Sequence, residues 1–334
     1  MKWLFFPFKT IIRVLGAVLL LVSAVVMHVG TLKAQTVNWI PIGSPAARAS
    51  TSMAYDGATY STVLFGGDSN SHENLGDTWI WRAGWFPASP TTSPSARDGA
   101  GMAYDGAARN IVLFGGVYGT PGTYLNDTWT WDGINWTQQF PPVSPSARAS
   151  NMAYDPATNT VVLFGGSNSA GGLGDTWTWD GVAKTWTQQN PSTSPSARQS
   201  ALAYDAATKT MVLFGGSNGN AVYGDTWTWN GTTWAQRFPT SAPSPRSGSA
   251  MTYDPDLGLI VLFGGAVGGN WQNSTNDTWV WNGITWNQIY PAAVPPNRYA
   301  FGMDYDSTNK AILMFGGYST GPARGDTWLL TLAP

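Results

Sequence analysis

Twelve ionisable side chains recur in step along the chain, and their types and spacing favour anion binding or ion pairing. Six arginines follow one another every 48 to 52 residues: Arg48, Arg97, Arg148, Arg198, Arg246 and Arg298. Six aspartates each open an Asp-Thr-Trp triplet: Asp77, Asp127, Asp175, Asp225, Asp277 and Asp326. A guanidinium group suits bidentate recognition of carboxylates and sulfates, so the arginines would bind an anionic partner. Alternatively, each arginine pairs with one aspartate and ties two strands together, which the equal numbers and the one-to-one recurrence favour.

Catalytic chemistry has few candidate residues in this chain. His28 and His72 are its only histidines and it has no cysteine, so a metal site would depend on His72 and Glu73 without a third imidazole or thiolate. We therefore expect no metal and no cofactor. A carboxylate pair for glycoside hydrolysis is the alternative, with Asp98, Asp304 or Glu73 as candidates among the acids that do not recur.

The recurring residues belong to six repeats of about 50 residues, and each repeat contains four short predicted strands. In the third repeat, strand a spans residues 148–155, strand b spans 161–166 and ends in Gly-Gly, strand c spans 175–179, and strand d begins at Trp186. Val, Phe, Thr and Trp favour strands, and 39 glycines and 22 prolines suit many tight turns. A unit of this size cannot bury both of its faces alone, and radial stacking of such units into a β-propeller solves this problem.

The two ends of the repeat region predict how the propeller closes. The last repeat stops after its strand c at residues 326–332, whereas residues 37–40, before the first repeat, match a strand d. We therefore predict an all-β, six-bladed β-propeller over residues 35–334. Its N-terminal strand completes the last blade and removes the open edge between first and last blade.

The repeat resembles the Kelch repeat in four features: Gly-Gly after an apolar strand, Asp-x-Trp-x-aromatic, a spaced tryptophan, and Pro-x-Arg. The layout is also similar to the central propeller of the galactose oxidase superfamily, and the resemblance covers residues 37–332. It implies that strand a is innermost, so that the arginines ring the mouth of the central channel. The copper chemistry of galactose oxidase is not expected, because its site needs histidines and a cysteine that this chain lacks.

One position departs from the Kelch pattern. The family usually has tyrosine as the aromatic residue of strand c, whereas this chain has Trp81, Trp131, Trp179, Trp229 and Trp281, with Leu330 in the last repeat. Because these tryptophans recur in nearly every repeat, we expect them to fill the space between blades and not to stack on a ligand.

Alternating strand direction places the b–c and d–a loops on one face of the propeller, here called the loop face. The b–c loops vary in length and content, and function usually lies on such loops over a rigid scaffold. Aromatic residues outside the repeat pattern are the candidates for contacting a ligand: Tyr118, Tyr124, Tyr223, Trp271, Tyr299 and Tyr318. Asp98, Asp304 and the six arginines complete the predicted binding residues.

Residues 1–34 read as a segment of their own. Lys2, Lys9 and Arg13 precede an apolar run over residues 14–29, which predicts a secretory signal peptide, with an uncleaved membrane anchor as the alternative. Removal of residues 1–34 would take away four basic residues and no acid, changing the net charge from −2 to −6. An acidic chain without a basic stretch is a poor candidate for binding nucleic acid.

We therefore expect an exported, monomeric binding scaffold that recognises an extracytoplasmic protein or a glycan through the loop face. Its location would be secreted or extracytoplasmic, with membrane attachment only through residues 14–29. The alternatives are a carboxylate-based, glycan-active enzyme and a purely structural module of the cell envelope, since a fold does not fix a function.

Overall fold

The computed structural model describes residues 37–42 and 46–332, and these residues form six antiparallel blades. The leader predicted for residues 1–34 lies outside the described residues. Across those that are described, no helix has the length and apolar character needed to cross a membrane.

The strands follow the predicted order, and the first of them belongs to the last blade: β1 (Val37–Ile42). Blade 1 contains β2 (Arg48–Ala49), β3 (Ser52–Asp56), β4 (Ser61–Ser69), β5 (Asn74–Trp81) and β6 (Trp85–Pro87). Blade 2 contains β7 (Gly101–Asp105), β8 (Asn110–Phe114), the hairpin β9 (Val117–Tyr118) and β10 (Thr123–Tyr124), β11 (Thr128–Trp131) and β12 (Trp136–Gln139). Blade 3 contains β13 (Ala149–Asp155), β14 (Thr160–Asn168), β15 (Gly171–Asp180) and β16 (Thr185–Gln189).

The remaining blades repeat this arrangement. Blade 4 contains β17 (Gln199–Asp205), β18 (Thr210–Ser217), β19 (Val222–Trp229) and β20 (Trp234–Arg237). Blade 5 contains β21 (Arg246–Ser247), β22 (Ala250–Asp254), β23 (Leu259–Phe263), β24 (Ala266–Val267), a 3-10 turn (Trp271–Asn273), β25 (Thr278–Trp281) and β26 (Trp286–Ile289). Blade 6 contains β27 (Gly302–Asp306), β28 (Ala311–Phe315) and β29 (Thr327–Leu332).

The a strands are innermost and form a closed ring. Strands β3, β7, β13, β17, β22 and β27 each contact the next, and β27 returns to β3. The N-terminal strand closes the propeller as predicted, because β1 pairs antiparallel with β29, with Val37 opposite Leu332 and Ile42 opposite Thr327. The all-β, six-bladed fold is therefore confirmed.

Apolar side chains fill the space between adjacent blades. Between blades 2 and 3, for example, Val112 and Phe114 join Leu163, Trp179 and Trp186 in one buried cluster. Corresponding clusters lie between the other neighbouring blades. The strand c tryptophans are almost fully buried in this layer, as the sequence predicts.

The strand d tryptophans add a polar link between blades that was not predicted from the sequence. The indole of Trp186 in blade 3 donates to the hydroxyl of Thr128 in blade 2 across 2.9 Å. The same bond joins four further pairs: Trp85–Thr327, Trp136–Thr78, Trp234–Thr176 and Trp286–Thr226. Thus the threonine of the Asp-Thr-Trp triplet accepts from the next blade.

The Gly-Gly pairs allow adjacent blades to approach closely. In blade 3, a Cβ atom on Gly165 would lie only 2.4 Å from the carbonyl oxygen of Arg198, and its φ of +58° also favours glycine. The amide of Gly166 donates to that same carbonyl across 2.9 Å. The pair therefore joins strand b of one blade to the start of strand a in the next.

The Trp–Thr link predicts a cost for a nearly isosteric substitution. We expect Thr128→Val to lower the free energy of unfolding by about 1–3 kcal/mol, because the buried indole N–H of Trp186 loses its acceptor. Guanidinium unfolding measures this effect. The control is Thr187→Val, the same change at an exposed position of β16, which should alter stability by less than about 0.5 kcal/mol. Equal effects of the two substitutions would contradict the assigned role.

Candidate functional site

The recurring arginines and aspartates form one ion pair in each blade. Arg148 is fully buried, and its two terminal nitrogens donate to the carboxylate oxygens of Asp175 across 2.5 and 2.9 Å. Equivalent pairs occupy the other blades: Arg48–Asp77, Arg97–Asp127, Arg198–Asp225, Arg246–Asp277 and Arg298–Asp326. The pairing of the two recurring sets, which the sequence favoured, is what the structure contains.

The remaining donors of these guanidinium groups are also engaged. In Arg148, Nε donates to the Ser146 carbonyl at 2.8 Å, Nη1 to the Gly165 carbonyl at 3.0 Å, and Nη2 to the Ser146 hydroxyl at 2.7 Å. A guanidinium has five N–H donors, and all five are therefore used within blade 3. Arg97, Arg198 and Arg246 repeat this pattern. These four arginines therefore have no free donor for an anionic partner. Arg48 and Arg298 have no serine two residues earlier and make four of the five bonds, and all six side chains are buried.

A tryptophan completes each ion pair. The Trp177 indole donates to Oδ2 of Asp175 across 2.7 Å, and Trp79, Trp129, Trp227, Trp279 and Trp328 make the same bond in their blades. Burial alone would raise the pKa of Asp175, but the hydrogen bonds from Arg148 and Trp177 outweigh it and hold the pKa below its usual value. The two-residue spacing of Asp and Trp was the available signal for this bond, because it places both side chains on one strand face.

A cavity of about 610 Å³ opens at the centre of the loop face. This lies within the range of roughly 300–1,000 Å³ that is usual for ligand pockets. Its lower wall is apolar and comes from one residue of each a strand: Met53, Met102, Met152, Leu202, Met251 and Met303. This ring was not predicted from the sequence, although an apolar residue four or five positions after each arginine is a signal for it.

A belt of backbone hydrogen bonds holds the edge of this cavity. Ala300 donates to Gly248, Ser50 to Ala300, Gly99 to Ser50, and Ser150 to Gly99, over N···O distances of 2.7–3.1 Å. Four residues of this belt have φ angles of 50–65°, a region that residues other than glycine seldom adopt: Gly248, Ala300, Ser50 and Gly99. Blades 3 and 4 have one residue fewer between arginine and Met152 or Leu202, and they lack this left-handed residue. The edge of the cavity is thus not six-fold symmetric.

Three of the predicted aromatic residues meet on one side of this cavity, here called the aromatic wall: Trp271, Tyr299 and Tyr318. The ring centroids of Trp271 and Tyr299 are 4.7 Å apart, and those of Tyr299 and Tyr318 are 5.8 Å apart. Trp271 comes from the blade 5 b–c loop and is 49% exposed, whereas Tyr299 and Tyr318 lie opposite each other in blade 6. The structure therefore brings together residues that 47 positions separate in the sequence.

Tyr118, Tyr124 and Tyr223 do not belong to the aromatic wall. Tyr118 and Tyr124 lie in the β9–β10 hairpin of blade 2, away from the residues that line the cavity. Tyr223 covers an ion pair, since the guanidinium carbon of Arg198 is 3.6 Å from the centre of its ring. Its hydroxyl accepts a hydrogen bond from Asn218 across 3.0 Å.

Two carboxylates lie beside the aromatic wall, where blades 6, 1 and 2 meet. The Tyr318 hydroxyl donates a hydrogen bond to Oδ2 of Asp68, and His72 Nδ1 is 3.4 Å from the same oxygen. Asp98 accepts a hydrogen bond from the Asn74 amide across 2.7 Å. Burial raises the pKa of Asp98 to about 6, the Asn74 bond opposes this, and the charge of Asp68 adds to it.

Asp98 and Asp304 have separate surroundings, so the structure gives no support to a catalytic carboxylate pair. Asp304 links three blades through its side chain: Oδ2 accepts from the Tyr55 amide at 2.8 Å, and Oδ1 accepts from the Thr252 hydroxyl at 2.9 Å. Burial raises its pKa, and these hydrogen bonds oppose the rise. Neither carboxylate lines the main cavity, and Glu73 is an exposed side chain of the blade 1 b–c loop.

Comparisons with known proteins identify the type of repeat. A family model for the Kelch-repeats domain of KLHDC2, KLHL20 and DRC7 matches residues 81–236, from the end of β5 to strand d of blade 4. The solved structure of YjhT is similar with a TM-score of 0.66 and 17% sequence identity, over 87% of this chain and 96% of that chain. No curated protein is matched. The prediction of a Kelch-type propeller is therefore confirmed, and an identity this low shows the fold alone.

The environment of Asp98 predicts a pH-dependent effect on stability. Because folding raises its pKa from 3.8 to about 6, its ionised form opposes folding, and this penalty disappears as the pH falls from about 6 towards 4. We expect Asp98→Asn, which keeps an acceptor for Asn74, to raise the free energy of unfolding at pH 7 by about 1–3 kcal/mol. The gain should shrink towards zero near pH 4. Urea unfolding at both pH values measures it.

The control for Asp98 is Glu73→Gln, which removes one negative charge from the same side of the loop face at an exposed position. It should change stability by less than about 0.5 kcal/mol at either pH. A loss of stability in Asp98→Asn at pH 7 would show that the ionised carboxylate is stabilising and would contradict this account.

Proposed function

We propose that this protein is an exported, non-catalytic binding scaffold that holds a glycan in the cavity at the centre of the loop face. A Kelch-type propeller itself suggests an interaction scaffold, because rigid blades carry loops of variable sequence. Export rests on the leader predicted from residues 1–34, which would be either a cleaved signal or an N-terminal anchor.

The aromatic wall is the observation that carries this proposal. Trp271 and Tyr299 depart from the repeat, so the packing of the blades does not require them, yet their rings lie 4.7 Å apart at the cavity. About half of Trp271 is exposed, which leaves one part of its ring for a ligand. A pyranose ring has an apolar C–H face that fits against an aromatic side chain and hydroxyl groups around its edge that need polar partners.

A glycan fits the shape of this region better than a folded protein does. The cavity is concave, and its polar and aromatic groups converge on a space of about 610 Å³. A folded partner would instead need a buried area of about 800 Å² on each side, with anchoring residues near its centre. Binding to a protein through the outer parts of the b–c loops is the outcome that would displace the glycan proposal.

Substitution of Trp271 tests the proposal on a glycan array probed with the full chain. We expect Trp271→Ala to reduce binding to the recognised glycans at least tenfold, because it removes the exposed part of the aromatic wall. The melting temperature should change little, since the side chain is half exposed. The matched control is Tyr290→Ala, an aromatic residue that is 81% exposed after strand d of blade 5 and does not line the cavity.

Two results would contradict the proposal. One is the absence of any glycan signal for the unaltered chain. The other is equal binding by Trp271→Ala and the unaltered chain, which would place the ligand elsewhere on the propeller.

A further inference from the structure

We infer that the cavity selects an uncharged sugar unit over acidic or amino sugars of the same size. This inference rests on the proposed function and deepens it by naming the chemical class of the ligand. It comes from the side of the cavity opposite the aromatic wall and from the charges that surround both.

The first observation is the neutrality of the lining. Among the described residues, those that line the cavity include no Asp, Glu, Lys, Arg or His. The buried arginines behind the lining are each neutralised by an aspartate, as in the pair of Arg198 and Asp225. A charged ligand group entering this space would lose water without gaining an opposite charge, which is unfavourable. A hydroxyl group would lose much less.

The second observation is a set of amides in blades 3 and 4, here called the amide wall: Asn151, Asn168, Gln199 and Asn218. Asn168 uses its oxygen to accept from the Ala170 amide at 2.9 Å, and Gln199 uses its oxygen to accept from the Ser167 hydroxyl at 3.3 Å. Their amino groups have no protein acceptor within the described part of the chain. Asn151 is the reverse case, because its amino group donates to the Ser200 carbonyl at 2.7 Å and its oxygen is free.

The free groups of the amide wall are therefore of both kinds, two donors and one acceptor. Sugar hydroxyls both donate and accept, so they can satisfy such a mixed set. A carboxylate or sulfate only accepts, and an ammonium group only donates. The hydroxyl of Ser247 is a further free polar group at this cavity, because it is buried without a hydrogen bond among the described residues.

The third observation is the acidic character of the rim next to the aromatic wall. Asp68 and Asp98 lie in blades 1 and 2, and Asp68 is bonded directly to Tyr318. Their charges oppose the approach of an acidic sugar that stacks on Tyr299 and Tyr318. Because Asp68 is engaged with Tyr318 and Asp98 with Asn74, neither points into the cavity to pair with an amino sugar.

The test uses the full chain on an array of matched glycans. Each neutral core, such as cellobiose or the trimer of N-acetylglucosamine, is presented beside a charged counterpart with the same number of rings, such as the disaccharide of glucuronic acid and glucose or the trimer of glucosamine. We expect the neutral member of each recognised pair to bind at least tenfold more tightly. Stronger binding of the acidic or the amino member would overturn this inference while leaving the glycan-binding proposal intact. No binding to any glycan would instead defeat the proposed function.

A charge placed in the amide wall gives a second test, by titration calorimetry with the neutral glycan that binds best. We expect Asn168→Asp to weaken this binding at least tenfold, because a free donor becomes a carboxylate oxygen that must lose its water. The bond from the Ala170 amide survives the change, so folding should be unaffected. The control is Asn220→Asp, the same substitution at an exposed residue of the neighbouring loop outside the lining. Equal affinity of both variants would overturn the assignment of the amide wall.

Discussion

In each blade, a buried arginine holds the start of strand a against the start of strand c, and the loop face depends on this contact. The guanidinium binds both carboxylate oxygens of an aspartate. The indole N–H of the tryptophan two residues further along strand c donates a third hydrogen bond to the same carboxylate. Charge-assisted, bidentate bonds of this kind are strong and fix geometry as well as energy. Because both strands begin at the loop face, the contact sets where the d–a and b–c loops emerge.

The blades are then joined to one another by groups drawn from the same repeat. The strand d tryptophan of one blade reaches the threonine next to the paired aspartate, and a Gly-Gly amide reaches the carbonyl of the next blade's arginine. Each recurring residue thus makes hydrogen bonds either within its own blade or to the adjoining blade. Such a framework leaves the b–c loops free to differ, and the aromatic wall arises where two of them depart from the pattern.

Much of this fold could be predicted from the sequence, because the same pattern of strands and turns recurs six times. The blade number and the four strands of each blade followed from the repeats, and the closing strand, predicted over residues 37–40 from its match to strand d, spans residues 37–42. The Arg–Asp pairing followed from equal numbers and one-to-one recurrence. The Trp–Thr bond did not, because it depends on side-chain directions that spacing leaves open. The indole bond to aspartate was also not predicted, although the two-residue spacing places both side chains on one strand face.

The candidate site was predictable only in part. Trp271, Tyr299 and Tyr318 were singled out because they break the repeat, yet Tyr118, Tyr124 and Tyr223 met the same criterion and lie elsewhere. What separates the two groups is the path of each b–c loop, which the repeat pattern does not specify: Trp271 and Tyr318 line the cavity, whereas the blade 2 hairpin does not. The neutrality of the lining could not be predicted from the sequence either, because it depends on the arginines pairing with strand c and not lining the cavity.

The central claim is that the recurring charges are framework and that recognition lies where the repeats differ. The most direct test is the free energy of unfolding of Arg148→Ala, measured by guanidinium denaturation. Loss of the arginine leaves the partly buried Asp175 without its main partner, so the account predicts destabilisation by about 3–5 kcal/mol. Unchanged stability would contradict it, because an arginine that can be removed without cost is not holding the blade together.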